Sequence, residues 1–343
     1  MIKQKYLLIT DLHLENKYMG QLEAQVKAIK KTYDTSHYNG VIILGDVFMH
    51  RRPTPSVMLA FKDILKYFSP CRVFVLKGNH DAETKADDGI TALSLFRNKH
   101  RTSNEDVEVI THVSRFNLGY YKHATFIPHY EDNQTIKDAL LEVPKDDIVF
   151  GHFGYFGVYN SFGDADSDIT LDNFNNLTFL GHIHGYCEKG LVTTLGTPYT
   201  VSFQDADVEK YYGVLTIDKD SIDFEKFPIS WGPRHLVFDV DDLEKNKDLI
   251  NDENYYTYLR VYINSLTEDS VATSKILNDY NINVLDIKYK SVSDFDTPNT
   301  YVPKENLFAI TDEVISDYID NSSTSLEKDD LLEGLSLLRN ENQ

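Results

Sequence analysis

Five segments of this chain end an apolar run with the same kinds of residue, and that repetition constrains the fold more than any other feature. Residues 6–10 run into Asp11-Leu12-His13, and residues 41–44 into Gly45-Asp46. Residues 73–76 lead to Gly78-Asn79-His80-Asp81, residues 148–150 to Gly151-His152, and residues 177–180 to Gly181-His182-Ile183-His184-Gly185. Short apolar runs closed by turn residues read as buried strands. Residues 125–128 add another, and residues 21–35, 57–68 and 90–97 carry helical spacing between them. Strand, helix, strand order implies an α/β core. Open sheets of that class place ligand sites at the carboxyl ends of their strands. Five separate segments therefore deliver Asp, His and Asn to one edge.

Beyond Gly190 the pattern changes to strand after strand, at residues 191–195, 212–217 and 222–227. Sheet packed on sheet, with helices outside, accommodates both halves. We expect this αββα sandwich to occupy residues 1–228. The chain punctuates at Trp231-Gly232-Pro233, and strands at 236–240, 256–263 and 284–289 with a helix at 271–280 predict a small α/β cap over residues 229–292. A linker over 293–303 precedes two amphipathic helices in residues 303–343. Leu307, Ile310, Val314, Ile315 and Tyr318 share a face of the first. Thr324 and Glu327 make a capping box for the second, whose apolar residues are Leu331, Leu332, Leu335 and Leu338. Such a pair either packs back on the core or docks a partner helix or coiled coil.

The residues at the strand ends suit two divalent metals. Asp11 and His13 are two apart, so in an extended strand they point to the same side, and His182 and His184 repeat that spacing. Asp46 can bridge, one carboxylate oxygen to each ion. Mixed nitrogen and oxygen ligands favour manganese, iron or zinc over magnesium. Each piece alone is weak, since Gly-Asp is a turn signal anywhere. All five in this order, each after a strand, are not a coincidence to be expected.

These same motifs resemble the calcineurin-type metallophosphoesterase superfamily. The resemblance implies one metal on Asp11, His13, Asp46 and His184 and a second on Asp46, Asn79, His152 and His182. His80 would be the histidine beside the scissile phosphate that is not a ligand, and Asp81 would orient its ring. Two cations in such a site neutralise charge developing during in-line attack. Protein phosphatases of the superfamily carry Gly-Asp-x-Val-Asp-Arg-Gly and Gly-Asn-His-Glu, which this chain does not. Gly45-Asp46-Val47-Phe48, the Pro53-Thr54-Pro55-Ser56 that follows, and Leu195-Gly196-Thr197-Pro198-Tyr199 with Tyr211-Tyr212-Gly213-Val214 resemble the SbcD/Mre-type DNA repair nucleases. The bacteriophage members are the most similar. That resemblance implies a manganese-dependent exonuclease and single-strand endonuclease, acting in recombination, repair or replication. Its C-terminal helices would bind an SMC-like ATPase of the SbcC/Rad type. A homodimer is expected, through the helix at 21–35 or that at 57–68. A cyclic-nucleotide or other small-molecule phosphodiesterase is the alternative with the same metals, and a non-enzymatic scaffold a more distant one.

Other features bear on the substrate. Arg51 and Arg52, beside Asp46, reach a phosphate backbone or simply decorate a solvated loop. Aromatics at Phe153, Tyr155, Phe156, Tyr159 and Phe162 stack on unpaired bases or pack the loop on its own core. His50 stands one place after the position where relatives carry a second histidine, and its role is open. Thirty-four basic against 54 acidic residues give a net charge of −20. That opposes tight, autonomous DNA binding but not a local basic groove or binding through a partner. Acidity also serves solubility. Two cysteines, Cys71 and Cys187, exclude a disulfide framework and a cysteine zinc site. With no apolar stretch of membrane-spanning length, a cytoplasmic protein is expected, within the bacterial host if phage-encoded.

Overall fold

The computed structural model describes residues 3–34, 37–98, 106–120, 122–157, 159–160, 163–164, 167–206, 208–263, 276 and 278–289. The linker and the two C-terminal helices expected over 293–343 lie outside the described residues, as does most of the helix expected over 271–280.

The first half alternates as its periodicity requires. β1 (Gln4–Ile9), α1 (Gln21–Tyr33), β2 (Gly40–Ile43), α2 (Pro55–Phe68), β3 (Arg72–Leu76) and β4 (Val107–Ile110) come first. β5 (Ser114–Gly119), β6 (Lys122–Ile127), α3 (Asn133–Glu142) and β7 (Ile148–His152) follow. Next come the two-residue β8 (Tyr159–Asn160) and β9 (Gly163–Asp164), then β10 (Thr178–Gly181), β11 (Cys187–Lys189) and β12 (Val192–Thr194). β13 (Tyr211–Ile217), β14 (Ile222–Pro228), β15 (Gly232–Asp239), α4 (Lys247–Ile250), β16 (Tyr255–Ile263) and β17 (Val284–Tyr289) complete the described elements.

Two larger sheets run β14-β13-β1-β2-β3-β4 and β11-β12-β10-β7-β6-β5. β1 to β4 pair in parallel, as do β6, β7, β10 and β12, while β13 and β14 join the first sheet and β5 and β11 the second as antiparallel strands. Side-chain alternation sorts each strand between two layers. Tyr6 and Leu8 face the second sheet with Ile42, Phe74, Phe126, Phe150 and Phe179, whereas Leu7 and Ile9 face the helices with Ile29, Phe61, Ile64 and Phe68. Between the sheets, Phe74 stacks on Phe126, Phe126 on Phe150 and Phe150 on Phe179, with centroids 5.1–5.7 Å apart. On the outer face of the second sheet, Val149, Leu180 and Val192 pack with Ile136 and Leu140 of α3. Helix, sheet, sheet, helix is the expected layering, and it brings the carboxyl ends of β1, β2, β3, β7 and β10 to one edge.

The segment expected to turn helical over 90–97 is a 3-10 turn at Ala92–Phe96. Strands β4, β5 and β11 and helix α3 have no counterpart in the sequence reading; β5, for example, alternates half-buried and exposed residues without a continuous apolar run. β15, β16 and β17 form a separate parallel sheet with its own cluster of Leu243, Ile250, Leu259, Val261 and Ile263. This sheet abuts α1, where Trp231 Nε1 donates to Ala28 O at 3.2 Å and Tyr256 Oη to Met19 O at 2.7 Å.

One polar clamp ties three strands of the second sheet. Arg115 Nε and Nη2 donate to Asp147 Oδ2 and Oδ1 at 2.7 and 2.8 Å, and Thr125 Oγ1 donates to Oδ2 at 2.8 Å. Burial pushes the Asp147 carboxyl up, but these donors outweigh it and hold it below its ordinary value. A depressed carboxyl stabilises the fold above its unfolded value of about 3.9 and loses that contribution as pH falls through the folded value. Asp147→Asn is therefore expected to cost about 1–2 kcal/mol at pH 7, a figure kept low because Arg115 is half exposed. In urea titrations the gap from wild type should shrink below about pH 4.

Candidate metal centre

The loops after β1 and β2 continue the parallel pairing past the strands themselves. Asp11 N donates to Gly45 O and His13 N to Asp46 O, both at 3.0 Å. The backbone there is not extended: φ is 51° at Asp11, 41° at His13, 48° at Asp46 and 79° at His182. The expectation that Asp11 and His13, or His182 and His184, share a side because they lie in an extended strand is corrected accordingly. Left-handed turns aim these side chains, at a cost of about 1–3 kcal/mol each that surrounding contacts must offset. Asp and His are among the residues that tolerate the conformation best.

Two glycines make the close approach possible. Gly45 has φ of 97°, and a Cβ there would lie 2.3 Å from His152 Nδ1. A Cβ on Gly78 would lie 2.1 Å from Asp46 Oδ1 and 2.4 Å from Asp46 N. Gly78→Ala is thus expected to displace the Asp46 carboxylate. Its metal affinity in a manganese titration should fall at least about tenfold, the scale seen when support around a metal ligand is disturbed; unchanged affinity would show that the loop can shift freely.

The structure brings all seven residues expected as ligands together. His13 Nε2 lies 3.2 Å from His184 Nε2 and 3.8 Å from Asp11 Oδ1. Asn79 Oδ1 lies 3.1 Å from His152 Nε2 and 3.0 Å from His182 Nδ1. Asp46 stands between these groups, with Oδ2 3.9 Å from His13 Nε2 and Oδ1 3.4 Å from His152 Nε2. Donor atoms of Asp11, His13 and His184 fall within 4.8 Å of one another, as do those of Asp11, Asp46 and His152. His13 and His152 thus face different oxygens of the Asp46 carboxylate, an arrangement that fits two divalent cations with Asp46 between them.

Protonation of His13 and His182 fits cations as well, whereas at His152 burial is outweighed by the Asp46 carboxylate, which holds the ring up at about 9. Burial pushes the His13 imidazole down to about 3. Burial, reinforced by His152, pushes His182 down to about 3. Both rings are neutral near pH 7, the form that ligates metal. Burial also drives the Asp11 carboxyl up, which reports the strain of placing an anion there without a counter-ion. Asp46 is pushed up by burial too, but the neighbouring His152 outweighs this and holds it well below its usual range. His152 Nδ1 sits 2.5 Å from Leu44 O, which fixes the proton on Nδ1 and leaves Nε2 to face Asn79 and Asp46. Among the described residues His13 Nδ1 has no hydrogen-bond partner, while the carboxylates of Asp11 and Asp46 lie 3.8 and 3.9 Å from its Nε2.

His80 lies beside this cluster, its ring edge-on to His13 with centroids 5.0 Å apart. Its ring is held by Met49 O, 2.7 Å from Nδ1, rather than by Asp81. The expected orienting role of Asp81 is corrected: its carboxylate accepts from the backbone N–H groups of Gly78, Phe48 and Val47 at 2.9, 3.1 and 3.3 Å. It knits the loop after β3 to the loop after β2. Burial, with Asp46 nearby, pushes its carboxyl up to about 7.

Neighbouring candidates fall elsewhere. Arg51 donates to Ala82 O and Thr84 O at 3.0 and 2.9 Å and so braces the loop beyond Asp81 instead of facing solvent phosphate. Arg52 is exposed. His50 Nε2 pairs with Glu15 Oε1 at 3.1 Å. Phe153 and Tyr155 are buried against Phe174, which removes them as stacking platforms, while Phe156 is exposed. The side chains of Tyr159 and Phe162 lie outside the described residues.

Three residues near the centre, the buried Asp205 and Lys210 and the partly exposed His129, escaped the sequence reading. His129 stacks on His182 with centroids 6.1 Å apart, and neither of its ring nitrogens has a hydrogen-bond partner. It follows β6 directly, the one signal that could have marked it, but it lacks the flanking glycine of the other motifs. Asp205 and Lys210 follow the Gly-Thr-Pro-Tyr segment and reach His184 from behind. Nothing in their spacing announces this.

Comparison with known proteins agrees with this geometry. No curated protein sequence matches the chain. Among solved structures it is similar to a conserved uncharacterized protein of Streptococcus pneumoniae TIGR4, described as a predicted phosphoesterase. Identity is 14%, with 66% of this chain and 99% of that chain covered at a TM-score of 0.30, too low to carry an argument. The family profile for calcineurin-like phosphoesterases matches residues 4–186, which span β1 through the Gly181–Gly185 motif. The chain belongs to the calcineurin-like phosphoesterase family.

Proposed function

We propose that this phosphoesterase is a manganese-dependent DNA nuclease subunit that hydrolyses phosphodiester bonds in recombination, repair or replication. The hydrolytic part rests on one observation above all: Asp46 faces two separate donor sets, with His80 alongside. Two divalent cations bound there would supply Lewis-acid activation of water and neutralise charge on the phosphoryl oxygens. Asp11, His13, Asp46 and His184 would hold one ion and Asp46, Asn79, His152 and His182 the other. The Met49 carbonyl keeps a proton on Nδ1 of His80, so a doubly protonated ring would give its Nε2 proton to the leaving oxygen and return to the neutral Nδ1–H form. The tight mesh of Asp81 with three backbone N–H groups keeps His80 in register with Asp46, whose Oδ1 accepts from His80 N at 2.8 Å.

The DNA part is supported by the Gly-Asp-x-Phe, Pro-Thr-Pro-Ser and Gly-Thr-Pro-Tyr segments that resemble SbcD/Mre-type nucleases. A cleft of about 700 Å³ opens at His13 and runs along the third sheet past Lys17, His50, Tyr258 and Arg260. Its wall sets aromatic groups beside paired charges, Arg260 with Asp286 at 2.6 Å and His50 with Glu15 at 3.1 Å. An SMC-like ATPase bound through residues 303–343 would share DNA binding, and α1 with α2 would offer the homodimer face.

The test compares labelled linear duplex, single-stranded circles and a generic phosphodiester reporter, each with manganese and with chelator. Cutting of DNA that stops on chelation supports the reading. Hydrolysis of the reporter alone, even with an ATPase subunit added, removes the DNA assignment and leaves the phosphoesterase. Deleting residues 303–343 is expected to abolish pull-down of the ATPase while reporter hydrolysis persists; an intact pull-down would refute the docking role.

A further inference from the structure

His184 is the one expected ligand whose ring meets a buried carboxylate on the side away from the centre. Its Nε2 faces His13 Nε2 at 3.2 Å, and its Nδ1 lies 3.8 Å from Asp205 Oδ2. Asp205 is fully buried and comes from a 3-10 turn, Phe203–Asp205, far along the chain from every metal-site motif. Its carboxylate is held from several directions. Val201 N donates to Oδ2 at 3.0 Å, Ser202 Oγ to Oδ1 at 3.1 Å, and Lys210 Nζ lies 3.7 Å from Oδ2. Lys210 also donates to Thr197 Oγ1 at 2.8 Å and to His184 O at 3.2 Å, where Thr197 N converges at 3.2 Å. The backbone of His184 is thus fixed by one buried network, Thr197-Asp205-Lys210, which also places the Asp205 carboxylate beside its ring.

We propose that Asp205 is the positioning carboxylate of His184, selecting the tautomer with the proton on Nδ1 and so presenting the Nε2 lone pair to the metal. This rests on the two-metal reading of the site. The separation of 3.8 Å exceeds a hydrogen bond, so the effect is chiefly electrostatic: a buried, acceptor-only anion favours an N–H over a lone pair on the nitrogen that faces it. His152 obtains the same result from the Leu44 carbonyl. Carboxylate support of this kind fixes ring orientation and raises ligand basicity, and its removal weakens metal binding by about 10–100-fold. A purely structural role for Asp205 makes a different forecast. An Asn oxygen at the Oδ2 position can still accept from Val201 N while its amide donates to Ser202 Oγ, so an architectural Asp205 would tolerate Asn with metal affinity intact.

The test uses the full chain and Asp205→Asn, with Ser202→Ala as a milder variant that retains the charge but loosens its anchoring. Manganese affinity is read by calorimetry, and the His184 tautomer by long-range proton–nitrogen correlation on metal-free, histidine-labelled protein. The expected result is the Nδ1–H form in wild type, loss of that bias in Asp205→Asn, and affinity about 10–100-fold weaker. Ser202→Ala should fall between the two. A wild-type ring already protonated on Nε2, or an Asp205→Asn variant with wild-type tautomer and affinity, would overturn the assignment. If wild type binds no manganese, the two-metal reading fails by itself, and the metal-free tautomer measurement still decides whether Asp205 orients the ring. Should Asp205→Asn fail to fold, the Ser202→Ala tautomer and affinity carry the decision.

Discussion

Asp46→Asn is expected to lower metal-dependent phosphodiester hydrolysis by at least about a thousandfold, equivalent to about 4 kcal/mol of transition-state stabilisation. The substitution preserves shape. An Asn oxygen can still accept from His80 N, as Asp46 Oδ1 does at 2.8 Å. What it cannot do is offer an anionic oxygen to both donor sets, since its second terminal atom is an amide nitrogen. One metal equivalent should therefore be lost along with activity. Burial opposes the Asp46 charge, but His152 outweighs it and holds the carboxyl well below its usual range, so the substitution removes one partner of a buried pair and the apo melting temperature should fall. Activity within tenfold of wild type would mean that Asp46 does not bridge.

His80→Ala should separate chemistry from metal binding. General acid–base groups contribute about 10²–10⁴-fold, so a loss in that range is expected with an ester whose leaving alkoxide needs a proton. The ring belongs to neither proposed ligand set and is anchored on Met49 O, so metal content should remain as in wild type. With a nitrophenolate leaving group, which departs without protonation, the deficit should narrow by an order of magnitude or more. An equal deficit for both leaving groups would assign His80 to charge stabilisation instead of proton transfer. Loss of metal would place it among the ligands, an arrangement its proximity to His13 and Asp46 makes worth measuring.

The motifs at the strand ends were legible because two local rules coincide. Continuous apolar runs such as Val41–Leu44 mark strands buried on both faces, and the polar residue that closes each run stands at the sheet edge by necessity. The turn geometry was not legible. Left-handed φ at Asp11, His13, Asp46 and His182 depends on pairing between loops distant in sequence, such as His13 N with Asp46 O. Asp81 shows the same limit. The resemblance implied an orienting role for it, but the chain turns after His80 and delivers the carboxylate to the backbone N–H groups of Val47 and Phe48, 34 and 33 residues earlier in the chain. Edge strands such as β5 and β11 leave little hydrophobic pattern because one face of each is solvated. Arg51 could not be read at all from its neighbours, since the carbonyls it satisfies lie beyond Asp81.

The most direct measurement of the central claim is the manganese content of the dialysed wild-type chain by elemental analysis, with hydrolysis followed in the same sample. Two ions per chain are predicted, with hydrolysis that disappears on chelation and returns when manganese is restored. One ion or none in a sample that still hydrolyses phosphodiesters would contradict the two-metal centre.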